Sequence, residues 1–451
     1  MYCPMRQFVF FLLLSLVPVL TSDAALLRMK IYETDGSCKF KYKLTTDSDF
    51  LKSVGKARDV REQKDGGIHV KLLRYPDGLV RFTRFSQSEQ PYVLHDIILV
   101  GRKEPVDIGQ KRTIVLTSLK QLPLFENFAG LQGVDLSNLD LREIPKRFLK
   151  LDFDNKTIWP AADKLPEGFN PKEILAKAKD PGLGLSALHN EGITGKGIRI
   201  AVIDQPPLLN HEDYCHAFEF FDNTLVPDVG PQMHGAALAS ISVGKSCGVA
   251  PKAKLHYYSV PMWESKNSFY IDCLDAIVAK NKILPKQQGI RAVAISTAMF
   301  PLYPRYEEYK KAFARAWKSG IAVFTCQRLK SHQFSFCMLN LATGENADDY
   351  KSYRPVSWCP KKLLNKFSLW LPGGTRTVAG PNEKDEYDYS IDCGNSWGPP
   401  FLAGLTALAM QVNPKLSPDE IISLLVKTAS KADFGKVVNP RAFIKAAKEL
   451  K

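Results

Sequence analysis

The run Ile198-Arg199-Ile200-Ala201-Val202-Ile203 is apolar at every position but one and ends on Asp204. A strand with one wet face alternates apolar and polar residues, whereas a strand covered on both faces reads as a nearly unbroken apolar run. This segment is of the second kind. It predicts an α/β fold: a mostly parallel sheet with helices on both faces. Two segments suit the covering helices. Gly235, Ala236, Ala237 and Ala239 are small enough to let a helix lie close on the sheet, and Pro400 to Met410 is apolar almost throughout, as a buried helix would be. In such sheets reactive groups gather at the carboxyl ends of strands, which is where Asp204 stands.

Asp204, His234 and Ser396 are the residue types of nucleophilic catalysis. A serine hydroxyl is a poor nucleophile unless an imidazole takes its proton, and the imidazole needs a carboxylate to hold the right tautomer. Chain order separates the classes that use this chemistry. Gly394-x-Ser396-x-Gly398 fits the nucleophile elbow of α/β-hydrolases, but there the histidine follows the serine, and the last histidine here is His332. The chymotrypsin order, His then Asp then Ser, fits poorly, because the best aspartate precedes the histidine. Ser396 also lacks an acidic residue just before it and a glycine pair just after it. The order Asp, His, Ser is that of subtilisin.

The flanking residues carry the comparison further. His211-Glu212-Asp213 begins seven residues after Asp204. His234-Gly235 opens a small-residue segment that runs to Gly248-Val249-Ala250-Pro251 and then Lys252-Ala253-Lys254-Leu255. Pro400, Ala403 and Gly404 stand four, seven and eight residues after Ser396. In these motifs the chain resembles the subtilisin-like serine proteases, from about Lys172 to Lys451. The resemblance implies catalytic residues Asp204, His234 and Ser396, and a secreted serine endopeptidase acting through an acyl-enzyme on protein or peptide substrates. It also implies peptide binding by strand addition at a sheet edge, on the strand leading to Ser296-Thr297-Ala298. Ala298-Met299-Phe300-Pro301 replaces the usual Gly-rich floor and predicts a narrower, more apolar pocket.

The chain departs from the family pattern in several places. Gln205-Pro206-Pro207 follows Asp204, Ala237 replaces a second histidine, and Trp397 follows Ser396. The family's Ala-Gly-Asn oxyanion segment is absent from Gly320-Ile321-Ala322-Val323-Phe324-Thr325-Cys326-Gln327-Arg328, where Gln327 is the candidate amide donor. The alternative is a binding or scaffold protein on the same fold with a degraded oxyanion hole.

Residues 1–24 carry Arg6, an apolar run from Phe8 to Leu20 and then small residues, the layout of a secretory signal peptide. An uncleaved anchor is the competing reading. No later stretch matches the length of a membrane helix, so the mature chain is expected to be soluble and exported, extracellular or periplasmic, with no membrane span. Removing Cys3 with the signal leaves eight of nine cysteines, an even number that permits disulfides. A bridge among Cys326, Cys337, Cys359 and Cys393 would brace the Ser396 region; buried free thiols are the other reading. The net charge of +14 is spread along the chain rather than gathered in a stripe, which excludes a nucleic-acid partner. His211 and His216 lack zinc-site spacing, and no cofactor is required. Calcium stays open, because no carboxylate loop has recognised ligand spacing.

Residues 25–160 read as a β-rich domain, with alternating stretches at His69 to Leu73 and Tyr92 to Val100 and a turn at Tyr75-Pro76-Asp77-Gly78. Position suits an intramolecular propeptide or a retained accessory domain. Leu131 to Leu141 has the spacing of one leucine-rich repeat, too little for a solenoid. Residues 161–184 read as a Pro-punctuated linker with a short helix at Lys172 to Lys179, and residues 185–451 as the catalytic domain.

Overall fold

A computed structural model describes residues 47–54, 59–65, 68–75, 78–85, 93–99, 114–119, 130–144, 151–227, 229–262, 268–299, 301, 303–326, 334–342, 344–359 and 364–450. The expected signal peptide at 1–24 and the oxyanion candidate Gln327 lie outside these residues. The chain divides into two units, Cys3–Asn170 and Pro171–Lys451.

In the first unit, helix α1 (Asp47–Val54) precedes an antiparallel meander of β1 (Asp59–Asp65), β2 (Ile68–Tyr75), β3 (Gly78–Phe85) and β4 (Val93–Leu99). The period-two stretches fall in β2 and β4, and the Pro76-Asp77 turn signal separates β2 from β3. Two short strands, β5 (Ile114–Val115) and β6 (Val134–Asp135), pair in parallel. The leucine-spaced segment buries Leu131, Leu136, Leu139 and Leu141 around β6. Strand β7 (Phe153–Asp154) follows, with Phe153 set edge-on to Trp159.

The second unit begins with α2 (Pro171–Lys177) and α3 (Leu185–Asn190). Next come β8 (Arg199–Asp204), β9 (Phe218–Asp222), α4 (Met233–Val243), β10 (Lys254–Ser259), α5 (Ser268–Ile283), β11 (Ile290–Ile295), α6 (Tyr306–Lys318) and β12 (Ala322–Thr325). The five strands form one sheet in the order β12-β11-β8-β10-β9, with all neighbours parallel. This is the α/β class that the apolar run predicts, with β8 at the centre.

Alternation along β8 gives the sheet two cores. Ile200 and Val202 join residues of α4 and of α7 (Gly398–Val412) on one face. Ala201 and Ile203 join Tyr270, Leu274 and Ile277 of α5 and Tyr309, Ala312 and Ala316 of α6 on the other. Both α4 and α7 are apolar all round, as helices enclosed on every side must be. Helix α7 lies close on the turn after α4 through Gly404, where a Cβ would lie 2.6 Å from Cβ of Val249.

A second sheet, in the order β14-β13-β15-β19-β18, comprises β13 (Ser335–Leu341), β14 (Tyr353–Pro355), β15 (Ser368–Gly374), β18 (Ser430–Ala432) and β19 (Gly435–Val437). Strands β16 (Arg376–Ala379) and β17 (Tyr387–Ser390) pair antiparallel, and α8 (Pro418–Lys427) and α9 (Pro440–Glu449) complete the unit. A disulfide joins Cys337 of β13 to Cys359. Cys215, Cys247, Cys273, Cys326 and Cys393 are free, and burial pushes the thiols of Cys247 and Cys273 up to about 12. Both cysteine readings therefore hold in part. Among the described residues no helix is long and apolar enough to cross a membrane.

The glycine at 404 sits where α7 meets the turn after α4, so Gly404→Ala is expected to cost about 1–3 kcal/mol through overpacking. Urea unfolding should show the lower midpoint at an unchanged slope.

Candidate active site

Asp204 closes β8 on the face shared with Ile200 and Val202, so its carboxylate points toward the layer of α4 and α7. It is fully buried. Oδ1 accepts from the Gln205 backbone N–H at 2.8 Å and from Nδ1 of His234 at 2.5 Å. An ionised carboxylate only accepts, which puts the imidazole proton on Nδ1 and leaves Nε2 with a free lone pair.

The contact is set by backbone approach. A Cβ at Gly235 would lie 2.2 Å from the Gln205 carbonyl oxygen and 2.6 Å from that of Pro206. Only glycine lets the first turn of α4 seat there, and the Gln232 N–H donates to the Pro206 oxygen at 2.8 Å. The unusual Gln205-Pro206-Pro207 segment is thus the seat of the helix that carries His234. The Tyr257 hydroxyl donates to the Gln205 oxygen at 2.6 Å and holds the seat from below.

Burial opposes charging of His234, while the negative charge of Asp204 and the hydrogen bond to it favour charging. The balance is upward from the ordinary histidine value of 6.5. The His234 side chain keeps 17% exposure against 0% for Asp204, so one group of the pair is reachable.

Ser396 lies in a 3₁₀ turn, Asn395–Trp397, that runs directly into α7. Helix α7 packs on α4, which carries His234 in its first turn. Among the described residues Ser396 Oγ makes no hydrogen bond, so the structure joins Asp204 to His234 and leaves Ser396 unbonded at the start of the neighbouring helix. Catalytic hydrogen bonds are often long without substrate. Phe336, beside the bridged Cys337, lies against Gly398, where a Cβ would come within 2.1 Å of its ring. The disulfide therefore braces the strand under the serine turn.

His211 is occupied elsewhere. Its Nε2–H donates to the Glu386 carbonyl at 2.7 Å, its Nδ1 accepts from the Asp213 N–H at 3.1 Å, and its ring stacks on Tyr214. Burial pulls it down from the usual histidine range, so it stays neutral. Asp213 accepts from the N–H and hydroxyl of Ser246 and tethers the chain beyond α4.

Two expectations about the substrate side are corrected. The strand leading to Ser296 is β11, which lies between β12 and β8, so it offers no edge; the sheet ends at β12 and β9. Met299 is buried in the core on the opposite face, so it does not line a pocket beside Asp204. The sequence reading also missed Ser259, which faces Asp204 in register across β10 and β8. Only strand pairing, not local composition, could have pointed to it.

No family model matches the chain. A probable subtilase-type serine protease of Deinococcus radiodurans is 24% identical over 292 residues, covering 55% of this chain and 38% of that protein. The match thus spans well under half the length of that relative. Among solved structures, the prenylagaramide maturation protease PagA is 16% identical with a TM-score of 0.45, covering 59% of this chain and 99% of that one. A cold-adapted subtilisin-like serine proteinase is 18% identical with a TM-score of 0.40, covering 54% and 89%. The chain is similar to the subtilisin-like serine proteases.

Because the folded His234 value lies above 6.5, its pairing with Asp204 stabilises the fold fully below that pH. The contribution is lost as pH rises through the folded value. The stability gap between wild type and His234→Gln, from urea melts across pH 5 to 9, should be widest in acid and shrink with rising pH.

Proposed function

We propose that the chain is a secreted serine endopeptidase that cleaves protein or peptide substrates through an acyl-enzyme. The observation that carries this reading is the 2.5 Å bond between the fully buried Asp204 and His234, which fixes the tautomer a general base requires. In the first step Ser396 Oγ forms a bond to the substrate carbonyl carbon while Nε2 of His234 takes the hydroxyl proton. The imidazolium, held against Asp204, returns that proton to the leaving amine as the peptide C–N bond breaks. Water then attacks the acyl carbon, giving its proton to His234, and Ser396 leaves with a proton restored. No cofactor enters these steps.

Negative charge develops on the carbonyl oxygen in each tetrahedral intermediate. The Ser396 backbone N–H, at the start of a helix, suits that oxygen, and a side-chain amide is the natural second donor. Gln327 is the candidate for it. The substrate would be a protein or peptide chain. Residues 1–24 would direct export, with extracellular or periplasmic action, and residues 25–160 would be a propeptide or accessory domain.

A fluorophosphonate probe tests the nucleophile without knowledge of the substrate. Wild type should label and Ser396→Ala should not; equal labelling of the two sinks the catalytic reading in favour of a scaffold. Peptidase activity should fall on the order of 10⁴-fold or more in Ser396→Ala and in His234→Ala. Gln327→Ala should lower kcat by about 10²–10³-fold with KM little changed, since an oxyanion donor acts mainly in the transition state.

A further inference from the structure

Asp204 has one carboxylate oxygen committed and one not. Oδ1 takes both described hydrogen bonds, whereas Oδ2 is buried with no partner among the described residues. A buried acceptor without a donor costs free energy, and a charged one costs more. Two other buried polar atoms nearby share this condition, Oγ of Ser259 and Oγ of Ser296.

Strand register sets the three in one row. Ser259 is paired with Asp204 across β10 and β8. On the other side Ile295 of β11 is paired with Ile203, so Ser296 is the next position, level with Asp204. Side-chain alternation puts all three on one face. Leu255 and Tyr257 of β10, Ile200 and Val202 of β8, and Ala292 and Ala294 of β11 belong to one core, and Ser259, Asp204 and Ser296 continue those three series. Ser259 and Ser296 are 2% and 5% exposed, too enclosed to spend their hydroxyls on bulk water.

We infer that Ser259 and Ser296 are positioning residues for Asp204, their hydroxyls supplying Oδ2 with its donors through one bound water. The inference rests on the proposed role of the Asp204–His234 pair. A carboxylate fixed at both oxygens cannot swing, so the imidazole it holds keeps a single orientation toward Ser396. The other titratable groups that sense Asp204 are Tyr257 on β10, Tyr270 on α5 and Cys326 after β12. Burial first, then the charge of Asp204, pushes all three up, so they remain neutral while His234 titrates.

The sign of the effect follows. Donors on Oδ2 draw carboxylate charge away from the imidazolium, so removing them tightens the ion pair and raises the His234 value. The test is an NMR titration of ¹⁵N-histidine-labelled full-length protein carrying Ser396→Ala, with His234 assigned by its loss in His234→Gln. The Ser259→Ala, Ser296→Ala pair of changes should raise the His234 value by about half a unit or more, and Thr at both positions should restore it. A purely structural role would lower the melting temperature of the Ala variant and leave the titration within about 0.1 unit of the parent, which overturns the inference. This readout needs no peptidase activity, so it stands apart from the probe-labelling test. In the active background the same double variant should lose kcat about tenfold with KM unchanged.

Discussion

The structure depends on meeting the needs of a carboxylate that has no solvent. Asp204 ends the central strand of a sheet covered on both faces, and it is fully buried. Desolvation of an ionised group is among the largest local costs a fold can carry, and it is offset only by donors placed before the group arrives. The Gln205 N–H and Nδ1 of His234 supply them at 2.8 and 2.5 Å. Each donor comes from the backbone route that follows: Gln205 is the next residue, and His234 rides on the helix seated on Gln205 and Pro206. The same event satisfies the carboxylate and fixes the imidazole.

That geometry needs unusually close backbones. Gly235 lets the first turn of α4 touch the carbonyls beyond β8, Gly404 lets α7 lie on the turn after α4, and Gly398 makes room for Phe336. A methyl group at any of them would meet another atom at less than 3 Å. The site residues are thus held by contacts that contain no reactive group. Small residues along α4, from Gly235 to Ala239, act at the same level, since they set how near its axis comes to the sheet.

Much of the fold class was legible because periodicity is a local property. Ile198 to Ile203 lacks alternation, and it became the middle strand of a parallel sheet. Pro400 to Met410 lacks a polar stripe, and it became a helix enclosed on all sides. Lys172 to Lys179 read as a short helix and forms one at Pro171–Lys177. Pairing is not local, which is why β11 was read as an edge although it lies between two neighbours. Met299 went astray for a related reason: its facing is decided by the parity of the strand before it, and Ile295 already belongs to the far core. Gln327 lies outside the described residues.

The two histidines near β8 show why residue type alone does not locate a reactive base. Both His211 and His234 follow an apolar strand, and both have an aspartate close by in space. His211 uses Nε2 as a donor to the Glu386 carbonyl and Nδ1 as an acceptor from a backbone N–H, so neither nitrogen is free and its ring is fully buried. Its aspartate offers it a backbone amide and keeps its carboxylate for Ser246. His234 meets a carboxylate oxygen with Nδ1 alone, and its side chain keeps some exposure. One imidazole is therefore pinned neutral as a structural tie, while the other is biased toward the charged form with one nitrogen left over. The difference lies in what the aspartate presents, main chain or side chain. That is set by whether it ends a buried strand, as Asp204 does, or lies in a loop, as Asp213 does.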